Sequence, residues 1–245
     1  MTPFTGIFGE FFAGIMAPLV AAEARATTTA AGSTTAPATT TSGGSTSFTD
    51  SFEGDLTAWN QTHVTGSRDF SVSGGAAQLA ISSWSQAETV AMRATPMASP
   101  EHLAQIVEAS LVTGYDGWHK LIARADSAEG NPDNAYVLVR HRTPDYGGPL
   151  WALKRRVEGV ETLLASGSPF GAYGDPATWR LTVSGTGATV TVTVWSSVDG
   201  TLATYEDTSE DRLTAGDCVG WAAGYDASSS WEFPMAVGEF HAEVL

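Results

Sequence analysis

Two hydrophobic periods divide the chain. Over residues 1–25 the bulky positions Phe4, Ile7, Phe8, Phe11, Phe12, Ile15, Met16, Leu19 and Val20 recur at intervals of three and four. That spacing predicts an amphipathic helix, with Gly6, Gly9, Ala13, Gly14 and Ala17 between the bulky residues and Pro18 kinking or ending it. From Phe48 onward the period becomes two. Alternating runs fall at 48–53, 76–82, 88–95, 103–112, 118–125, 135–142, 150–157, 160–165, 178–184, 188–196, 201–205, 217–224 and 235–244. Gly-Ser, Asn-Pro-Asp, Gly-Gly, Gly-Thr-Gly and Asp-Gly separate the runs, all suited to turns. The expected architecture is all-β: a two-sheet antiparallel jelly-roll sandwich over residues 48–245, preceded by the helix.

Residues 26–47 follow neither period. They carry nine threonines and no charge, and nothing apolar repeats to offset the entropy of ordering them. A linker is the simplest reading, and an O-glycosylated stalk the sharper one. The helix before it admits three roles. A secretory signal begins with basic residues, but none precedes Arg25, and Glu10 interrupts the apolar run. A membrane span would be barely long enough and would bury Glu10. A helix docked on other protein chains fits best, so the chain is expected to belong to a larger homo- or hetero-oligomeric assembly.

Charge narrows the partners. Of 245 residues, 12 are Lys or Arg and 27 are Asp or Glu, for a net charge of −15 and a pI near 4.5. Without the first 25 residues the balance is 11 to 25, about −14 on the sandwich. Such a field repels phosphate polyanions, which argues against nucleic acid and favours neutral glycans or protein over anionic partners. Cys218 is the sole cysteine, so no internal disulfide forms; flanked by Val219 and Trp221 in a strand, it reads as a small buried hydrophobe.

The stretches FTDSFEGDLTAWNQ, FSVSGGAAQLAI, HKLIARADS, AYVLVRHR, PLWALKRRVEGVETLLAS and VGEFHAEVL together resemble a concanavalin A-like, laminin-G-like jelly roll. The module is also similar to those of actinobacterial phage minor tail proteins. The resemblance implies a non-enzymatic virion component, tail or decoration, anchored to other virion proteins through residues 1–25. Its jelly roll would project outward to neighbouring proteins or host-envelope glycan. The alternative is a secreted bacterial carbohydrate-binding or carbohydrate-active protein. Calcium is the cofactor such folds suggest, and Asp50, Asp55, Asp116 and Asp226 sit near turns, although no EF-hand-like loop exists.

Catalytic patterns are weak. Glycoside hydrolysis needs two carboxyl groups across one sugar; Glu206, Asp207, Glu210 and Asp211 instead read as a solvated turn, and Glu158 and Glu161 as a hairpin. No Gly-x-Ser-x-Gly elbow occurs. His119 and His141 read as inward-facing and hydrogen-bonded. The expectation is a protein without catalytic residues. Sugar binding suits the composition better, since aromatic rings cover pyranose faces and polar groups meet hydroxyls. Alternation puts Trp118, Lys120 and Arg124 on one side of their strand, Tyr136 and Arg140 on one side of the next, and Trp151 with Arg155 on a third. If these strands adjoin in phase, they form an aromatic, basic concave surface, with Trp151 and Tyr136 as the stacking rings. The competing reading places these residues in the core, with arginine stems snorkelling outward.

Overall fold

A computed structural model describes residues 44–80, 86–110, 117–142, 151–168, 176–225 and 235–245. The expected docking helix at 1–25, with Phe4, Ile7, Phe8, Phe11, Phe12, Ile15, Met16 and Leu19, and nearly all of the linker lie outside the described residues. Within them the structure is all-β, with no helix, and two antiparallel sheets face each other as a sandwich.

One sheet contains β1 (Ser47–Asp50), β3 (Phe70–Val72), β4 (Ala77–Leu79), β6 (His102–Ser110), β11 (Thr178–Ser184), β12 (Val190–Ser196), β13 (Gly200–Asp207) and β15 (Met235–Val244). Its order is β13-β12-β11-β6-β15-β4-β3, and β1 also pairs with β15. The other sheet contains β2 (Trp59–Thr65), β5 (Ala87–Arg93), β7 (Gly117–Ala125), β8 (Ala135–Arg142), β9 (Trp151–Val157), β10 (Val160–Gly167) and β14 (Cys218–Tyr225). It runs β10-β9-β8-β7-β14-β5-β2. Two of these strands, β2 and β3, carry no alternation that the sequence reading detected. The first, WNQTHVT, has a polar residue at most positions, and the second spans three residues.

The sheets bury their facing sides against each other. Along β11 and β12 every second residue is buried, including Trp179, Leu181, Val183, Val190, Val192 and Val194. An aromatic cluster fills one end: Trp59 meets Phe240 edge-on at 4.9 Å between centroids, and Trp221 lies 4.0 Å from Phe70. Such rings contribute specific geometry as well as buried area. The second sheet is also apolar on its outer side, where Val90, Met92, Ile122, Val137, Val139 and Ala222 form a separate buried cluster. Strands β5 and β14 are accordingly buried at every position.

Charged groups cross the interior. Glu108 of β6 is fully buried and accepts hydrogen bonds from Arg140 of β8 and from the Ala177 amide, and its other oxygen contacts His119 Nδ1 of β7 at 3.1 Å. Asp207 of β13 takes Arg155 Nη1 at 2.9 Å on both oxygens and the Tyr136 hydroxyl at 2.7 Å. The acidic turn expected to be solvated therefore contributes one wholly buried carboxylate. Its partners in the opposite sheet satisfy a charge that would otherwise be too costly to desolvate.

His102 supports the same interior. It is fully buried, Nε2 accepts the Arg124 amide at 2.9 Å, and Nδ1 faces the Ser99 carbonyl at 3.1 Å. Only the neutral ring protonated at Nδ1 satisfies both contacts. Burial pulls its pKa down to about 4, partly opposed by the hydrogen bond to the Ser99 carbonyl. A depressed folded-state pKa contributes stability above the unfolded value of 6.5, which is lost as pH falls toward 4. Thermal melts should therefore decline between pH 6.5 and 4, and His102→Gln should flatten that slope. A slope unchanged in the variant would contradict the assignment.

Candidate functional site

Strands β7, β8 and β9 are neighbours, as the sugar-binding reading required, and their register decides which residues share a side. Ala123 pairs with Tyr136 and Tyr136 with Arg155; His119 pairs with Arg140 and Arg140 with Trp151. This set faces the core. Trp118 pairs with His141, Lys120 with Val139, and Val137 with Lys154. This set faces outward. The expected surface is thus split by one residue of phase.

Four of the five proposed stacking and binding residues are interior. Tyr136 and Arg140 are fully buried, bound to Asp207 and Glu108. Trp151 is 5% exposed and belongs to the core cluster; its indole lies against Gly167, where an added Cβ would fall 2.6 Å from Nε1. Arg124 is turned inward by a backbone irregularity. Its φ is +51°, and the ladder between β7 and β14 shifts register beside it. Its guanidinium donates to the carbonyls of Pro100, Gly185 and Leu213 at 2.7–2.9 Å. A left-handed non-glycine residue inside a strand re-aims its side chain, which alternation alone could not foretell.

Trp118 is the residue left on the outer side. Gly224 of β14 pairs opposite it, and a Cβ there would fall 2.6 Å from the indole ring atoms Cε2 and Cζ2. The ring therefore rests on bare backbone. Its Nε1 donates to Glu88 Oε2 at 3.2 Å, and Lys120 Nζ donates to Glu88 Oε1 at 2.5 Å. Glu88, Trp118, Lys120, Val139, His141 and Lys154 line an open groove of 180 Å³. His141 thus faces the groove, not the core as its alternation implied; its ring centroid is 6.4 Å from that of Trp118.

Lys154 is held at the groove's edge by Glu161 of β10. The Glu161 carboxylate accepts Lys154 Nζ at 2.7 Å and Arg156 Nη2 at 2.6 Å. Burial pushes its pKa up, but the two cations outweigh burial and bring it down to about 2. The hairpin acid expected to be merely solvated is therefore a clamp on two cations. Sequence reasoning missed Glu88, His141, Lys154 and Gly224 as groove residues. The one signal for them was a glycine inside the apolar run of β14, where a close approach is the usual reason for lacking a side chain.

Two other features compete less well for a sugar. Trp195 is half-buried on the outer side of the first sheet, but the Arg180 guanidinium lies 4.2 Å over its ring. A larger cleft of 660 Å³ opens among Pro100, Asp126, Asn134, Arg212, Leu213 and Asp217, and no aromatic residue lines it. For calcium, Asp50 already accepts from Trp59 Nε1 and the Phe52 amide, and Asp55 from Thr57. Asp116 and Asp226 lie outside the described residues. Among the described residues no three His, Cys, Asp or Glu side chains converge as a cation site requires, so no step is assigned to the ion.

Comparison with solved structures places this geometry in a known architecture. The carbohydrate recognition domain of Emp46p in its metal-free form superposes with a TM-score of 0.53 at 12% identity, over 78% of this chain and 90% of that one. The exoplasmic/lumenal domain of VIP36, bound to Ca²⁺ and Man2, gives 0.52 at 14% identity over 82% and 88%. A xylan β-1,4-xylosidase from Bacillus halodurans C-125 gives 0.53 at 12% identity, over 80% of this chain but 38% of that one. The fold is a jelly roll. At such identities the likeness is one of fold. No protein-family model and no curated protein sequence matches the chain, and the similarity to phage tail modules expected from the sequence is not shown.

The split register has a direct consequence for Trp151. Replacing it with alanine should cost about 3–5 kcal/mol, the usual range for a buried tryptophan, and lower the melting temperature accordingly. A melt matching the parent would contradict its interior position.

Proposed function

We propose that the sandwich is a non-catalytic carbohydrate-binding domain whose ligand lies in the outer groove of the second sheet. One observation carries this reading: an indole laid on bare backbone at Gly224, held by Glu88, and bordering a groove with a polar rim. A pyranose has an apolar face of C–H bonds and a rim of hydroxyls. The indole would cover the first, and Glu88, Lys120, His141 and Lys154 would meet the second. The groove is open and of a size for one sugar ring, so recognition would rest on few contacts and modest affinity.

Catalysis is not part of the proposal. Glycoside hydrolysis uses two carboxyl groups on opposite sides of the bond, and the lining contains one, Glu88, which is already bound to Lys120 and Trp118. The setting expected from the sequence also belongs to this reading as a proposal. Residues 1–25 would tie the domain to a larger assembly, and the sandwich would present its groove to a host-surface glycan. A secreted protein presenting the same groove is the alternative, and the carbohydrate-related structural relatives favour it over a virion protein.

Glycan-array binding followed by calorimetry tests the site. Trp118→Ala should weaken binding of any retained glycan at least tenfold, the equivalent of about 1.4 kcal/mol, with a smaller loss of melting temperature than Trp151→Ala causes. Retention of no glycan by the parent, or equal retention by the variant, would refute the reading.

A further inference from the structure

The chain contains two lysines, Lys120 and Lys154, and both line the groove beside Trp118. They stand two strands apart, on β7 and β9, and two residues out of register, Lys120 pairing with Val139 and Lys154 with Val137, so their backbone positions are roughly 12 Å apart. Val139 of the intervening strand separates them on the groove floor. Arg156 lies on the same outer side one pair further along β9. Among the described residues, two carboxylates, Glu88 and Glu161, pair with these three cations. This described cluster is therefore net positive on a protein whose total charge is −15.

We infer that the groove selects sugars bearing a carboxylate, of the uronic-acid class, over neutral ones; this rests on the carbohydrate-binding reading above. The overall charge argues the other way, and distance decides between them. At physiological ionic strength charges are screened beyond about 8 Å, so the many carboxylates elsewhere act weakly on a bound ligand. An ammonium in contact acts strongly, above all where it is partly desolvated. The Lys120 and Lys154 side chains are 13% and 28% exposed. Each ammonium carries three donors and gives one to its carboxylate, Glu88 or Glu161. Glu161 is shared between Lys154 and Arg156, so Lys154 is incompletely neutralised. A uronate stacked on Trp118 would direct its carboxylate toward Lys154, and its ring hydroxyls toward Glu88 and Lys120. The expectation that anionic partners are disfavoured is thereby reversed at this one place.

Calorimetry on the full chain with three probes tests this: an oligogalacturonate trisaccharide, its fully methyl-esterified form, and a neutral galactose trisaccharide. The acid should bind about tenfold more tightly than the ester at low salt, as a part-desolvated charge-assisted contact provides. The advantage should shrink severalfold at 0.5 M salt. Lys154→Met keeps the aliphatic stem and leaves Glu161 paired to Arg156, so the variant should fold, which its melt verifies. Its acid-to-ester ratio should fall toward one. An ester or neutral sugar bound as tightly as the acid would overturn the charge selection while leaving the carbohydrate site standing. Binding of none of the three, with no other glycan retained, would overturn both.

Discussion

Pairing between carboxylates of one sheet and arginines of the other fixes which side of β7, β8 and β9 faces the core. Glu108 meets Arg140, and Asp207 meets Arg155 and Tyr136, all within the interior. A slip of one residue in these strands would carry Arg140 and Arg155 outward and turn Trp118, Lys120 and Lys154 inward. Glu108 and Asp207 would then lose their arginine partners while staying buried, at a cost of about 3–5 kcal/mol for a broken pair. That is a large fraction of a domain's stability. The outer groove follows from the inner pairs: once the arginines are committed to the core, the indole and the lysines have only the outside to occupy.

The strands themselves were readable where a single side is buried. In β12, VTVTVWS, alternation and burial coincide from Val190 to Val194, and only Trp195 and Ser196 depart from it. In β7 they do not, because the outer side of the second sheet carries its own apolar cluster and five consecutive residues, Leu121–Ala125, are all buried. Alternation then shows which residues share a side but not which side is the core. That is why Trp118 and Tyr136 were expected on one surface. Strand β2 escaped because its polar residues obscure the pattern, and Arg124 because a left-handed residue resets the phase without a glycine to mark it. Asp207 sits in a run, YEDTSED, that reads as solvent-exposed; its cationic partner, Arg155, comes from the opposite sheet.

Total charge proved a coarse guide for a related reason. It counts every carboxylate equally, whereas recognition depends on the few groups within contact distance. The second sheet concentrates both lysines on one side of three adjacent strands, with Glu161 drawing two cations to a single acid. Fold and function are linked here through register: the choice of inner partners sets the chemistry of the outer surface.

The indole N–H region of a ¹⁵N-correlated NMR spectrum tests this account most directly. The chain has eight tryptophans, each with one indole resonance. Titration with an oligosaccharide that the domain retains, acidic or neutral, should shift the Trp118 resonance and leave those of the interior Trp151, Trp179 and Trp221 in place. Shifts at the other tryptophans with Trp118 unmoved would contradict it.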